Sequence, residues 1–288
     1  MLPKPSLRTL ARWGVACCLV ALLAPGTASA AAEGPDDDFP YELHVVWDSL
    51  LGATAVLGLT GTTIAEEYAG EVGAAEVRGL DAGDVNALDR AAIGNWSPGA
   101  ARASDVTEVV AAALPAILVI EIAATPNWRR AGIVAVMLTE ATVLNLTLTS
   151  VVKVAAGRYR PYLYDSDLPM ETRLGNPGDA GRSFYSGHTS VSFCGAVFFA
   201  TVFADLHPRS AWRHAVWPLS LGLAAATGAL RVAAGKHFPT DVLVGAAAGG
   251  LVGWAVPALH RRPEPGAPAA ALLPFSAGGP GFSAVIAF

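Results

Sequence analysis

Three short stretches of the chain gather the residue types that handle an oxyanion. "KVAAGRYRP" carries Lys153, then Arg160 after six intervening residues, then Pro161. "SFYSGHTS" sets Ser186, Gly187 and His188 at the head of an apolar run, and "LRVAAGKHFPTDVLVG" carries Arg231, His237 and Asp241. Two guanidinium forks and an ammonium suit a tetrahedral anion. Ser186 and Gly187 ahead of a helix add free amide hydrogens and the positive end of its dipole, and glycine lets the backbone approach closely. The two histidines add what cations lack, a nucleophile and a proton donor, and Asp241 can fix the tautomer and orientation of His237. Each residue also has a plainer reading. A histidine at a helix start caps it, an arginine near a span end snorkels to the interface, and His237 with Asp241 makes an ordinary salt bridge. A metal site of His188, His237 and Asp241 is a further arrangement these types allow. Arg158 is an additional cation beside the first stretch.

The elements that must position these residues are apolar and long. The 288-residue chain is 53% hydrophobic and 15% charged, with a mean hydropathy of +0.44. Soluble domains carry about a quarter charged residues, so this composition points to a membrane protein. Net charge is −5, and no dense basic patch marks nucleic acid as a partner. Lysine occurs at Lys4, Lys153 and Lys236, the last two beside the polar clusters.

Apolar stretches near 107–124, 131–151, 187–204, 213–233 and 241–259 approach the roughly 20 residues that cross a bilayer core. Asp105 stands where it would cap the first. The fold expected is an all-α helical bundle of five or six transmembrane spans. Arg129 and Arg130, Arg209 and Arg213, and Arg261 and Arg262 all fall on one side if the crossings alternate, and the positive-inside rule makes that side cytoplasmic. Loops 152–186 and 231–241, which hold the three clusters, then share the periplasmic side. A soluble, secreted helical bundle is the competing architecture.

Residues 1–30 read as an export signal, with Lys4, Arg8 and Arg12 ahead of "GVACCLVALLA" and "ASA" at Ala28–Ala30. Cleavage would remove Cys17 and Cys18 and leave Cys194 alone, without an internal disulfide. Residues 31–104 form an N-terminal helix and an acidic segment, 105–260 the bundle, and 261–288 a Pro/Gly-rich tail. In that tail "AALLPFS" and "FSAVIAF" flank "GGPG" as a hairpin would. The helix near 44–63 leaves a question of parity: either it does not cross, or the N-terminus stays inside and the signal is not cleaved.

In the three motifs the chain resembles the type-2 phosphatidic acid phosphatase superfamily, whose pattern is K-x6-RP, then PSGH, then SR-x5-H-x3-D. The resemblance covers roughly residues 105–258. Tyr185 stands for the motif proline and Leu230 for the motif serine. The resemblance implies a phosphatase acting on phosphomonoester or pyrophosphate bonds, foremost those of a lipid phosphate. His237 would form a phosphohistidine, Asp241 orient it, and His188 protonate the leaving oxygen. Lys153, Arg160, Ser186, Gly187 and Arg231 would bind phosphate. It implies no metal and no cofactor, and membrane lipids as surroundings. Phosphatidic acid, phosphatidylglycerol phosphate and polyprenyl pyrophosphate are the candidate substrates, with the "RPYLYDSDLPMETRLGNPGDAGRSF" loop as a rim over the pocket. A secreted acid phosphatase, a vanadium-dependent haloperoxidase-like oxidoreductase and an inactive membrane scaffold are the other readings. Oligomeric state is not legible.

Overall fold

The computed structural model describes residues 38–68, 70–262, 269–275 and 281–287, so the expected signal segment at 1–30 lies outside the described residues. Six long helices make the body: α1 Val45–Tyr68, α4 Pro98–Ala123, α5 Trp128–Ala156, α8 Gly187–Leu206, α9 Trp212–Ala233 and α10 Pro239–His260. Short helices fill the connections: α2 Ala74–Arg78 and α3 Ala87–Arg90 before α4, α6 Met170–Arg173 and α7 Pro177–Ala180 between α5 and α8. The tail pairs β1 Ala269–Phe275 with β2 Gly281–Ala287 as an antiparallel hairpin. The expected helical bundle is therefore present, and among the described residues α4, α5, α8, α9 and α10 are long and apolar enough to cross a membrane. The chain is a membrane protein. Val106, Val109, Ile117 and Ile120 of α4, Leu219 of α9, and Leu243, Leu251 and Trp254 of α10 remain exposed on its outside, as a lipid-facing surface requires.

One helix end differs from the sequence expectation. Ser97, not Asp105, caps α4: its hydroxyl accepts a hydrogen bond from the Ala100 amide at 3.2 Å, and Pro98 takes the first helical position. A serine followed by proline starts a helix more strongly than a charge two turns later. Asp105 is left inside the helix with its carboxylate available for other work.

Helix α8 is the central rod, with 61% of its most apolar window buried against 17% for α4. It can sit close to α10 because of a glycine stripe. A Cβ on Gly245, Gly249 or Gly253 would lie 2.7, 2.0 and 2.4 Å from the carbonyl oxygens of Ser186, Ser190 and Cys194. In lipid, where apolar burial against a neighbour gains little over burial in acyl chains, such close backbone packing and interhelical hydrogen bonds carry association. Ser190 Oγ donates to Asn145 Oδ1 at 2.6 Å between α8 and α5, and Thr227 Oγ1 donates to Thr107 Oγ1 at 2.8 Å between α9 and α4.

Helix α1 runs the height of the bundle beside α5. Thr147 Oγ1 of α5 donates to the Ala55 carbonyl at 2.9 Å, while Asp48 and Glu140 meet at the same His260. Both pairs are offset by the same 92 positions, so α1 is parallel to α5. Residues ahead of α1 pair with the end of α10 (Glu42 N to His260 O, 2.9 Å), whereas Val72, just past α1, pairs with Pro177 in the loop that carries the second cluster (3.2 Å). The helix thus starts at the end of the bundle that holds the arginine pairs and finishes at the end that holds the three motifs.

Candidate active site

The three motifs meet because three helix ends meet. Helix α5 stops at Gly157, which takes a left-handed φ of 55° and releases the chain into the extended 158–160 segment. Lys153 is left in the last turn, and Arg160 is aimed inward ahead of a tight turn at Pro161–Leu163. Helix α9 ends with Arg231 in its last turn, and Gly235 (φ 68°) turns the chain back. Only glycine fits there, since a Cβ would lie 1.9 Å from the Asn95 carbonyl oxygen. Helix α10 then begins with Pro239 at its first position and Asp241 two residues on, where the carboxylate accepts from the Phe238 amide at 2.9 Å. Backbone bonds tie the pieces together: Ser186 N to Asp241 O at 3.1 Å, and Tyr162 N to Gly235 O at 3.3 Å.

His237 is 1% exposed at the centre of this knot. Its Nδ1 lies 2.8 Å from the Ser183 carbonyl oxygen, and its Nε2 lies 3.2 Å from Arg160 Nη1. A carbonyl only accepts and a guanidinium only donates, so Nδ1 carries the proton and Nε2 holds the lone pair. Burial first, then the positive charges of Arg160, Arg231 and Lys153, keep His237 well below its ordinary pKa and therefore neutral.

The Asp241 carboxylate stands 3.6 Å from His237 Nδ1, further than the Ser183 carbonyl. The motif predicts that Asp241 orients the imidazole; in the structure the shorter contact is to a backbone oxygen that no motif encodes. Asp241 instead gathers its neighbours. Its Oδ2 accepts from Ser183 Oγ at 2.5 Å, fixing the residue whose carbonyl meets His237, and its Oδ1 accepts from Arg158 Nη1 at 2.6 Å. Arg158 also binds Asp89 at 2.7 Å and Thr240 at 2.8 Å, so its charge is spent on scaffolding. Asp89 is fully buried, and against the cost of that burial its bonds to Arg158 and Thr240 hold it below the usual carboxylate range.

The cations surround His237 without sharing one partner. Arg160, 2% exposed, donates from Nε to the Asp179 carbonyl (3.0 Å), from Nη1 to the Lys236 carbonyl (2.7 Å) and from Nη2 to the Asp179 carboxylate (2.8 Å). Burial would raise the Asp179 pKa, but Arg160, Lys153 and Arg231 outweigh it and keep the carboxylate ionised. Arg231, 6% exposed, has Nη1 3.3 Å from Ser104 Oγ and 3.6 Å from Asp105; its buried Nε has no hydrogen-bond partner among the described residues. Lys153 Nζ lies 3.6 Å from where a Cβ on Gly187 would stand, which shows how closely that glycine admits it. Lys236 points elsewhere, 4.9 Å from the centre of the Trp96 ring and 4.8 Å from that of Tyr162.

Ser186 is fully buried, and its hydroxyl caps α8 by accepting from Thr189 N and Oγ1 at 3.4 and 2.9 Å. Tyr185, in the motif-proline position, is buried and accepts from Thr149 Oγ1 at 3.3 Å, so the turn before Ser186 is anchored by a side chain. His188 is the more open histidine, with Nε2 2.9 Å from Asp105 and 3.2 Å from Glu108.

Asp179, Ser183, Asp89, Asp105 and Glu108 are thus parts of the site that motif reading missed. Asp105 and Glu108 had one signal, their spacing by three near the start of a largely apolar helix, which puts both on one face. Beside the cradle, a cavity of about 270 Å³ is lined by Lys153, Tyr159 and Arg182 together with Glu71 and Glu76.

Residues 133–264 match the PAP2 superfamily. A lipid A 1-phosphatase of Porphyromonas gingivalis is 35% identical over 95 residues, covering 32% of this chain. The chain spans about a fifth of the length of that relative, the match covering 20% of it. Among solved structures, the crystal structure of the first transmembrane PAP2 type phosphatidylglycerolphosphate phosphatase from Bacillus subtilis is similar, with 22% identity and a TM-score of 0.44. That match covers 71% of this chain and 94% of the other.

Proposed function

We propose that this chain, whose residues 133–264 match the PAP2 superfamily, hydrolyses the phosphate ester or pyrophosphate of a lipid through a phosphohistidine. One observation carries the reading. A buried, neutral imidazole presents its Nε2 lone pair among Lys153, Arg160 and Arg231, and a buried donor of that set, Arg231 Nε, has no protein partner among the described residues. An unpaired buried guanidinium nitrogen costs roughly 1–3 kcal/mol or more, and a phosphoryl oxygen is the group that would satisfy it.

In the first step Nε2 of His237 forms a bond to phosphorus as the bond to the leaving oxygen breaks. His188 delivers its proton to that oxygen, and the lipid alcohol or lipid monophosphate departs. The cations and the amides at Ser186 and Gly187 take up charge on the remaining oxygens, which is most of what phosphoryl transfer asks of a protein. In the second step His188 takes a proton from water, the water oxygen attacks phosphorus, the P–N bond breaks and inorganic phosphate leaves. Asp241 acts through Ser183, whose carbonyl keeps the proton on Nδ1 and the lone pair on Nε2. Every charge in the scheme is supplied by side chains, so it proceeds without metal.

The exposed apolar faces of α4, α9 and α10 favour a membrane-borne substrate over the secreted acid phosphatase reading. The arginine pairs at the far end support a periplasm-facing site in a bacterial inner membrane.

The test uses full-length protein in detergent with ³²P-labelled lipid phosphates. His237→Ala should lower turnover by at least about 10⁴-fold and abolish acid-labile protein labelling, with the protein still folded. Persisting label in that variant, or turnover abolished by a chelator while the protein stays folded, would overturn the scheme.

A further inference from the structure

Far from the cradle a second polar cluster lies between α1, α5 and α10. Asp48, Glu140 and His260 bring one oxygen or nitrogen each to within 4.8 Å of one another. Glu140 is thirteen residues from Lys153 on α5, and His260 nineteen from Asp241 on α10. At 1.5 Å per residue these offsets are about 20 and 28 Å, so the cluster belongs to the other end of the bundle.

Its geometry is poorly served by the protein alone. His260 Nδ1 lies 2.8 Å from the Val256 carbonyl, so in the neutral ring it carries the proton and Nε2 holds a lone pair. That lone pair faces Asp48 Oδ1 at 3.1 Å and Glu140 Oε2 at 3.2 Å. The Glu140 side chain is 1% exposed, and neither of its oxygens makes a well-aligned hydrogen bond among the described residues. The Oε2 contact to His260 is close in distance only. Three lone pairs therefore converge, two of them on buried side chains (His260 2% and Glu140 1% exposed) and the third on Asp48, 14% exposed. Protonating His260 gives one N–H to share between two carboxylates, leaves Glu140 Oε1 bare and leaves one net negative charge in the cluster. A divalent cation bound by a neutral imidazole and two carboxylates brings that charge to zero.

The spacing also fits. Tetrahedral bonds of about 2.0–2.1 Å to nitrogen and oxygen separate neighbouring ligand atoms by roughly 3.3 Å, close to the 3.1 and 3.2 Å seen here. An imidazole ligand selects zinc-class ions over magnesium or calcium. The Val256 carbonyl on Nδ1 is the outer-shell partner a metal-bound histidine usually has.

We propose that Asp48, Glu140 and His260 form a structural site for a zinc-class divalent ion that pins α1 to α5 and α10. Helix α1 supplies Asp48 to the cluster, so the ion would tie it directly to α5 and α10.

The test strips untagged full-length protein with a chelator in detergent and titrates it with Zn²⁺ by calorimetry and with Co²⁺ by visible absorption. One saturable equivalent is expected, with the intense d–d bands of low-coordinate Co²⁺ and a raised unfolding midpoint. Glu140→Gln and His260→Gln should weaken Zn²⁺ by more than about 100-fold, beyond the 10–100-fold loss typical of an outer-shell change, while lipid phosphate hydrolysis per folded molecule stays within twofold. No saturable uptake by the wild-type protein would overturn the proposal, as would undiminished uptake in both variants. Should the variants not fold, the wild-type stoichiometry and Co²⁺ spectrum decide: weak, high-coordinate bands or uptake far from one equivalent would likewise overturn it.

Discussion

Asp179 occupies a cation that the proposed reaction needs. Its carboxylate lies 2.8 Å from Arg160 Nη2, and its side chain is 43% exposed, whereas that of Arg160 is 3% exposed. A phosphate entering the cradle would have to take that contact over. Asp179→Asn removes the charge and leaves the guanidinium placed, because Arg160 Nε still meets the residue-179 carbonyl (3.0 Å) and Nη1 the Lys236 carbonyl (2.7 Å). Two charges about 4 Å apart at an effective dielectric of about 20 would interact by roughly 4 kcal/mol. With one partner nearly half exposed, the net figure falls to that of a surface pair, about 0.2–1 kcal/mol.

Converted through RT, KM for a lipid phosphate, and the inhibition constant for inorganic phosphate, should fall roughly 1.4- to 5-fold in Asp179→Asn. Turnover at saturation should be unchanged, and the gain should shrink as salt is raised from 50 to about 500 mM. Steady-state kinetics in mixed micelles, with phosphate as competitor, measures both constants. A raised KM together with a lowered kcat would refute the reasoning, since it would mean that the carboxylate positions Arg160 and does not merely compete for it.

The remaining predictions concern charge and orientation. Because His237 is held neutral below its ordinary pKa of 6.5, the unfolded chain binds a proton there that the folded chain refuses. Its contribution to stability is therefore full above pH 6.5 and declines as pH falls below that value, at up to about 1.4 kcal/mol per pH unit. His237→Asn should flatten the unfolding midpoint between pH 6.5 and 5 by that one-proton slope, and an unchanged slope would show that His237 is not the group. In intact bacterial cells, a cysteine at Asp167 should react with an impermeant maleimide and one at Pro208 should not. The reverse pattern would turn the bundle over.

The spanning helices were legible because membrane crossing demands about 20 apolar residues, and this signal survives without knowing what packs on what. The Gly245, Gly249 and Gly253 stripe was present in the sequence but silent, since only the approach of the Ser186, Ser190 and Cys194 carbonyls gives it meaning. Motif residues were legible through side-chain chemistry, and the structure brings the three segments to one knot. What escaped was of two kinds. The Ser183 carbonyl, which meets His237 Nδ1, is a backbone atom that every residue type possesses. The carboxylates of Asp105 and Glu108 sit on a helix remote from the motifs, and Asp179, although only seven residues ahead of Ser186, falls outside all three.

These carboxylates follow from the cradle itself. A pocket that holds Lys153, Arg160 and Arg231 about a neutral histidine carries three positive charges near a membrane surface, and such a cluster repels itself when no substrate is bound. Asp179 on Arg160, and Asp105 within 3.6 Å of Arg231, reduce that repulsion at positions 43% and 59% exposed, where a carboxylate can move into water as an anion arrives. Asp89 and Asp241, by contrast, are fully buried and tied to Arg158. The acidic residues of the site thus divide by exposure into those free to yield to substrate and those that hold the frame, and the division places Asp179 and Asp105 where substitution should alter binding and Asp89 and Asp241 where it should disturb the fold of the site.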